Sequence, residues 1–262
     1  MSTLAHTVTD STTMLRRSLL HAVRYPVITY LIATPLIFLL LFVYVFGAAL
    51  GTGIGGTGTD AYLNYVVPGV LLLAITGGVT GPALSVSKDL TEGIIARFRT
   101  MNISRSAVLT GHVLGNLIQV LIAVTVVLAI ALLMGFRAPA DVLGWLGAAG
   151  LLVAIGYALC WLGAAFGVFA KGVESASNLP MPLMLLPFLG SGFVPTESMP
   201  GWLQWFAEYQ PFTPFIETLR ALLFDTELGS NGWLSLAWIV AISVAGWGWA
   251  RYLYERKAVM AA

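Results

Sequence analysis

Six stretches of this 262-residue chain contain no Asp, Glu, Lys or Arg: 25–59, 61–87, 106–136, 142–170, 175–196 and 228–250. Each is at least 22 residues long, and about 20 predominantly apolar residues suffice for a helix to cross a hydrocarbon core of about 30 Å. The chain is 58% hydrophobic and 10% charged, whereas a soluble domain carries about 25% charged residues. It therefore reads as an all-α polytopic membrane protein whose main solvent is lipid. Trimmed for turn residues, six transmembrane helices are expected near 27–50, 62–86, 107–135, 145–170, 178–194 and 232–252. The apolar run in the first exceeds a cleavable signal sequence, so it should remain as an anchor. The fifth contains Pro180, Pro182 and Pro187. Each lacks a backbone donor, so this span is expected to be short, kinked and shielded by its neighbours.

Basic residues set the orientation, because cytoplasmic loops retain Lys and Arg. Eleven of the thirteen fall before span one, between spans two and three, between spans four and five, or at the end of span six and beyond it. Only Arg137 and Arg220 fall on the other side. Both termini are thus expected in the cytoplasm, and an even number of spans agrees in placing them on one side. The implied layout has a cytoplasmic amphipathic segment at 1–26, six spans within 27–252 and a cytoplasmic tail at 253–262.

The composition also excludes functions. A net charge of +1 argues against nucleic acid, which selects a strongly basic face. Cys160 is the one cysteine and His6, His21 and His112 are the three histidines, so no thiolate cluster and no His-rich metal site is expected. The chain has no GxxxxGK[ST] and no HExxH, and no paired nucleophile and base suggest an enzyme. No Asp or Glu falls within the six expected spans, which disfavours a transporter driven through a midplane carboxylate.

Outside the spans, residues 11–24 place Leu15, Leu19 and Val23 on one helical face and Arg17, His21 and Arg24 on the other, the pattern of a helix lying in the membrane interface. Between spans two and three, Ile94, Phe98 and Met101 form an apolar rib on a basic helix, suited to a partner's groove. Between spans five and six, two short helices are expected near 200–208 and 214–224, with Thr213 as a candidate N-cap of the second. Trp202 and Trp205 make this region too apolar for free solution, so it should be interfacial or re-entrant. Glu217 and Arg220 are spaced to pair on one helix face, and at an exposed site such a pair contributes little. Within span three, His112, Asn116 and Gln119 form one polar stripe, read as interhelical hydrogen-bonding glue in preference to a substrate path. Gly163 and Gly167, one of several GxxxG pairs, suit close helix packing.

Two blocks resemble the permeases of type 2 ABC transporters, especially the daunorubicin and doxorubicin resistance subgroup. The first is KDLTEGIIARFRTMNISRSAVLTGH, with Glu92, Gly93, Arg97, Arg99, Ser104 and Arg105; where the family often has a proline, this chain has Asn102 or Ile103. The second is GFVPTESMPGWLQWFAEYQPFTPFIETLRALL, with Pro195, Met199, Pro200, Trp202, Pro211, Thr213, Glu217 and Arg220. The resemblance implies a single permease domain in the plasma (inner) membrane that binds no cofactor itself. ATP and Mg would reside on a separate ATP-binding subunit, present in two copies. It implies a second permease copy, identical or a sister chain, and export of a hydrophobic or amphiphilic compound such as an antibiotic or lipid. Asp89, Glu92, Gly93, Arg97, Phe98 and Arg99 would belong to the coupling helix that touches the ATPase, and Trp202, Trp205, Glu217 and Arg220 to extracellular re-entrant helices. The residues alone leave two other readings open: a proton-coupled efflux protein, or a non-transporting membrane assembly or anchor subunit.

Overall fold

The structure, a computed structural model, describes residues 27–53, 59–92 and 105–260. Regular structure among the described residues is helical throughout. Five helical columns are long and apolar enough to cross a membrane: Ile28–Gly51, Thr59–Thr91, Val108–Leu133, Val142–Phe169 and Gly229–Arg256. They correspond to five of the six expected spans. In the first, α1 (Val27–Leu40) runs through a π-helical turn at Leu41–Phe46 into α2 (Gly47–Gly53). The second comprises α3 (Thr59–Gly77) and α4 (Thr80–Thr91), joined by a tight turn in which Gly78 and Val79 donate to the carbonyls of Ile75 and Thr76.

The third column lies in α5 (Arg105–Leu133) and the fourth is α6 (Val142–Phe169). Their junction is built from polar groups that sit at helix ends. Gly135 takes a positive φ of 109°, and Arg137 places Nη1 3.0 Å from the carbonyls of Leu132 and Phe136, satisfying acceptors that a helix C-terminus leaves open. At the start of α6, Asp141 accepts from the Gly144 amide at 2.7 Å, as an N-cap should.

α3 is the centre of the bundle. Every residue from Val66 to Thr76 is buried, because α1, α5, α6 and α10 (Phe212–Phe224) all pack around it. A helix apolar on every side suits either such enclosure or a lipid-facing span, and here neighbouring helices enclose it. Beside it, α4 lies against α6 at the Gly163 and Gly167 pair. A Cβ on Gly167 would come within 2.5 Å of the Ala83 carbonyl, so the small residues set how near these helices lie. The last helix, α11 (Gly229–Met260), packs along α6 and extends helically past 252 into the expected tail.

The expected fifth span at 178–194 is not one helix. It folds as α7 (Val173–Asn178), α8 (Met181–Leu185), a 3-10 turn at Leu186–Leu189, and then irregular chain. Pro180, Pro182 and Pro187 remove three amide donors within eight residues, so no regular ladder can propagate. The two short helices that follow are α9 (Gly201–Tyr209) and α10, close to their expected places. Thr213 is not the N-cap of α10. The helix starts at Phe212 after Pro211, and the Thr213 hydroxyl instead accepts from the Ser191 amide at 3.3 Å. The amphipathic segment with Arg17, His21 and Arg24 lies outside the described residues, as do Gly93, Arg97, Phe98 and Arg99.

Candidate functional site

Polar chemistry concentrates at the two ends of the α3–α4 column. At the α4 end, the Asp89 carboxylate meets His112 Nε2 of α5 at 2.8 Å, with side-chain exposures of 10% and 18%. An ionised carboxylate only accepts, so this contact requires the hydrogen on Nε2. The expected spans contained no carboxylate, yet α4 continues to Thr91 and carries Asp89 into the bundle. The pair ties the helix that enters segment 93–104 to the helix that leaves it. Glu92, by contrast, is exposed and pairs loosely with Lys88 at 3.7 Å.

Of the stripe His112, Asn116, Gln119, His112 bonds across helices as interhelical glue would, whereas the bonds of the other two fall within their own helix. Asn116 donates to the His112 carbonyl at 2.9 Å and Gln119 to the Gly115 carbonyl at 3.3 Å, both within α5. Both side chains are buried, and these bonds turn their amides back onto their own helix. Among the described residues, the bond of His112 to Asp89 joins two helices.

At the α3 end, Arg220 of α10 organises a second cluster. Its guanidinium pairs with Glu217 one turn earlier, and Nη2 donates to the carbonyls of Tyr65 at 3.2 Å and Ser191 at 3.0 Å. It also lies over the Tyr65 ring, 4.1 Å from the centroid. The planar, multiply donating guanidinium suits such a junction as a lysine could not. Such a pair contributes little at an exposed site; here the Arg220 side chain is 17% exposed and joins three chain segments. Tyr65 donates to the Ser191 carbonyl at 2.9 Å and Tyr62 to the Phe193 carbonyl at 3.0 Å, so carbonyls of the irregular chain find donors on α3. Gln210 adds a bond to the Leu186 carbonyl at 3.2 Å.

Apolar contacts hold the same segment from the other side. Phe193 stacks on Phe188 with centroids 4.6 Å apart, and Phe42 from the π-helical turn approaches Phe193 at 4.6 Å. Gly69 of α3 and Gly192 meet backbone to backbone; a Cβ on Gly69 would sit 2.5 Å from the Gly192 carbonyl oxygen. The broken segment is thus seated in the bundle, with hydrogen bonds where helical ones are missing. Trp202 and Trp205 occupy the exposed face of α9 with Tyr209. Among the described residues there is no group of three His, Cys, Asp or Glu able to hold a metal ion, and Cys160 is buried.

These features define a multi-pass helical membrane protein with a polar clamp at each end of its central column. A family model described as ABC-2 type transporter matches residues 9–224, which include both blocks that carried the resemblance. The chain belongs to the ABC-2 type transporter family. It is 33% identical over 225 residues to the daunorubicin resistance ABC transporter permease protein DrrB1 of Streptomyces coeruleorubidus, covering 85% of this chain and 77% of that one. It is 25% identical over 205 residues to the probable doxorubicin resistance ABC transporter permease protein DrrC of Mycobacterium tuberculosis, covering 78% and 74%. To the inner membrane transport permease YadH of Escherichia coli it is 27% identical over 188 residues, covering 71% and 72%.

Proposed function

We propose that this chain is the membrane-spanning subunit of an ATP-driven exporter of hydrophobic or amphiphilic compounds, with ATP and Mg held by a separate ATP-binding subunit. The observation that carries the reading is the 33% identity to a permease named for daunorubicin resistance, spread over 85% of this chain. An ABC-2 permease sequence without a P-loop of its own is consistent with an ATPase on another chain. Two ATPase copies and two permease copies, identical or sister chains, would form the complex in the plasma membrane.

In this reading the broken segment 173–194 supplies a sixth crossing in pieces, and both termini lie in the cytoplasm. Its carbonyls bonded by Tyr62, Tyr65 and Arg220 support that assignment, since irregular backbone at membrane depth must be satisfied by protein. The segment following Asp89 and Glu92, with Gly93, Arg97, Phe98 and Arg99, is the coupling helix. Arg17, His21 and Arg24 belong to an interfacial connecting helix, and Trp202, Trp205, Glu217 and Arg220 to the extracellular side. ATP binding would draw the ATPases together, and the Asp89–His112 clamp would pass the displacement of the coupling helix into α4 and α5 as one body. Alternating access between the two permease copies follows from that motion.

Arg97→Glu combined with Arg99→Glu should abolish ATP-dependent efflux while membrane insertion and expression stay normal, as read by dye or drug efflux from cells and by membrane fractionation. Unchanged efflux in the double variant would remove the coupling role from this segment.

A further inference from the structure

The structure holds an apolar groove that the transport reading does not use. It lies between the first halves of α6 and α11, has a volume of about 420 Å³, and is floored by Thr218 and Leu222 of α10. We propose that it binds one acyl chain of a membrane phospholipid, in the leaflet that surrounds the N-terminal ends of α6 and α11. The inference is independent of the exporter reading, because it requires only that these two helices lie in a bilayer.

The groove exists because two helices that touch at one end part at the other. Near Gly246 they are in close contact: a Cβ there would sit 2.8 Å from the Leu162 amide nitrogen. Towards their N-terminal ends the walls are made of Gly147, Gly150 and Gly232, and a Cβ on Gly150 would meet nothing within 4 Å. The space is of the size that small-molecule sites occupy. Its floor makes no polar demand, since the hydroxyls of Thr218 and Ser235 bond each other at 2.9 Å. An apolar chain lying along these walls gains dispersion contacts with them.

The surroundings identify the occupant. On one side of the groove Trp233, Leu236 and Val240 of α11 are exposed, and on the other Leu143 and Leu146 of α6. In a membrane-spanning bundle such faces meet lipid, so the groove is continuous with the lipid-facing surface. The molecules that reach it at the highest concentration are the acyl chains of the bilayer. Trp233 stands at the mouth, and tryptophan favours the headgroup boundary from which a chain would enter.

The test uses the full chain in nanodiscs of phosphatidylglycerol and phosphatidylethanolamine, released into the gas phase for native mass spectrometry. Wild type should retain one phospholipid per chain after the bulk lipid is stripped. Gly150→Leu and Gly232→Leu, which fill the groove from opposite walls, should each lose that adduct, while Gly248→Leu, at a position also open to a Cβ but outside the groove, should keep it. Equal retention by the filled variants would overturn the proposal. So would a shift of those variants from dimer to monomer with the lipid adduct unchanged, since the groove would then seat a second copy. As a measurement on wild type alone, a phospholipid carrying a photoreactive acyl chain should label peptides spanning 147–154 or 229–239, and labelling confined to other helices would refute the site.

Discussion

Arg220 carries more structural duty than any other charged side chain described. Replacing it with Met keeps most of the volume but leaves Glu217 without its cation, removes the side-chain donor to the Tyr65 carbonyl, and leaves the Ser191 carbonyl with the Tyr65 hydroxyl in place of two donors. Leaving charged hydrogen-bond partners unmatched costs about 1.5–3 kcal/mol, so Arg220→Met should lower the thermal midpoint of the purified protein by several degrees. Arg220→Lys should recover only part of the loss, because a compact ammonium cannot serve Glu217 and two carbonyls together. Asp89 and His112 allow a different experiment. Each single alanine variant strands a largely buried polar partner, whereas the double variant strands none. The double-mutant cycle should therefore return a coupling energy of about 1–3 kcal/mol, measured by denaturation in mild detergent. The Glu217–Arg220 pair was legible from its spacing, but the reach of Arg220 to other segments and the Asp89–His112 contact were not. Asp89 and His112 are separated by 23 positions and meet only because of how α4 lies on α5. Arg220 bonds backbone carbonyls, which give no side-chain signal.

At the scale of elements, the long uncharged stretches mark five helices because the membrane requires both length and apolarity. The same criteria fail at 178–194, where composition suits a span but three prolines prevent a continuous one. That segment depends on tertiary donors from α3 and α10, and on the contact of Phe42 from a π-helical turn that no apolar periodicity announces. The short helices α9 and α10 were legible from their prolines, though Pro211 rather than Thr213 begins the second. Close packing of α4 on α6 is the most sensitive interface to a small change. Gly167→Leu would press into the Ala83 carbonyl, and overpacking of this kind costs about 1–3 kcal/mol. Lower expression and a lower thermal midpoint are expected for Gly167→Leu, set against a near-neutral Gly248→Leu on open helix surface.

For the whole molecule, the account joins a family to an architecture. The chain is an ABC-2 type transporter protein with drug-resistance permeases among its relatives, built around one enclosed helix with a polar clamp at either end. The clamps divide the work in the proposed cycle. Asp89–His112 holds together the two helices that flank the coupling segment, and the Arg220 cluster secures the broken segment to the far end of the same column. Packed helices and hydrogen-bonded contacts of this kind can carry coupling between distant sites. The measurement that tests this most directly is a mild-detergent pull-down of the tagged full chain from its native membrane, with co-purifying proteins identified and ATP hydrolysis assayed. A stoichiometric ATP-binding subunit that is lost when Arg97 and Arg99 are both changed to Glu is the predicted result. A folded chain that purifies with no ATPase would contradict the account and move a proton-coupled or anchoring role ahead of it.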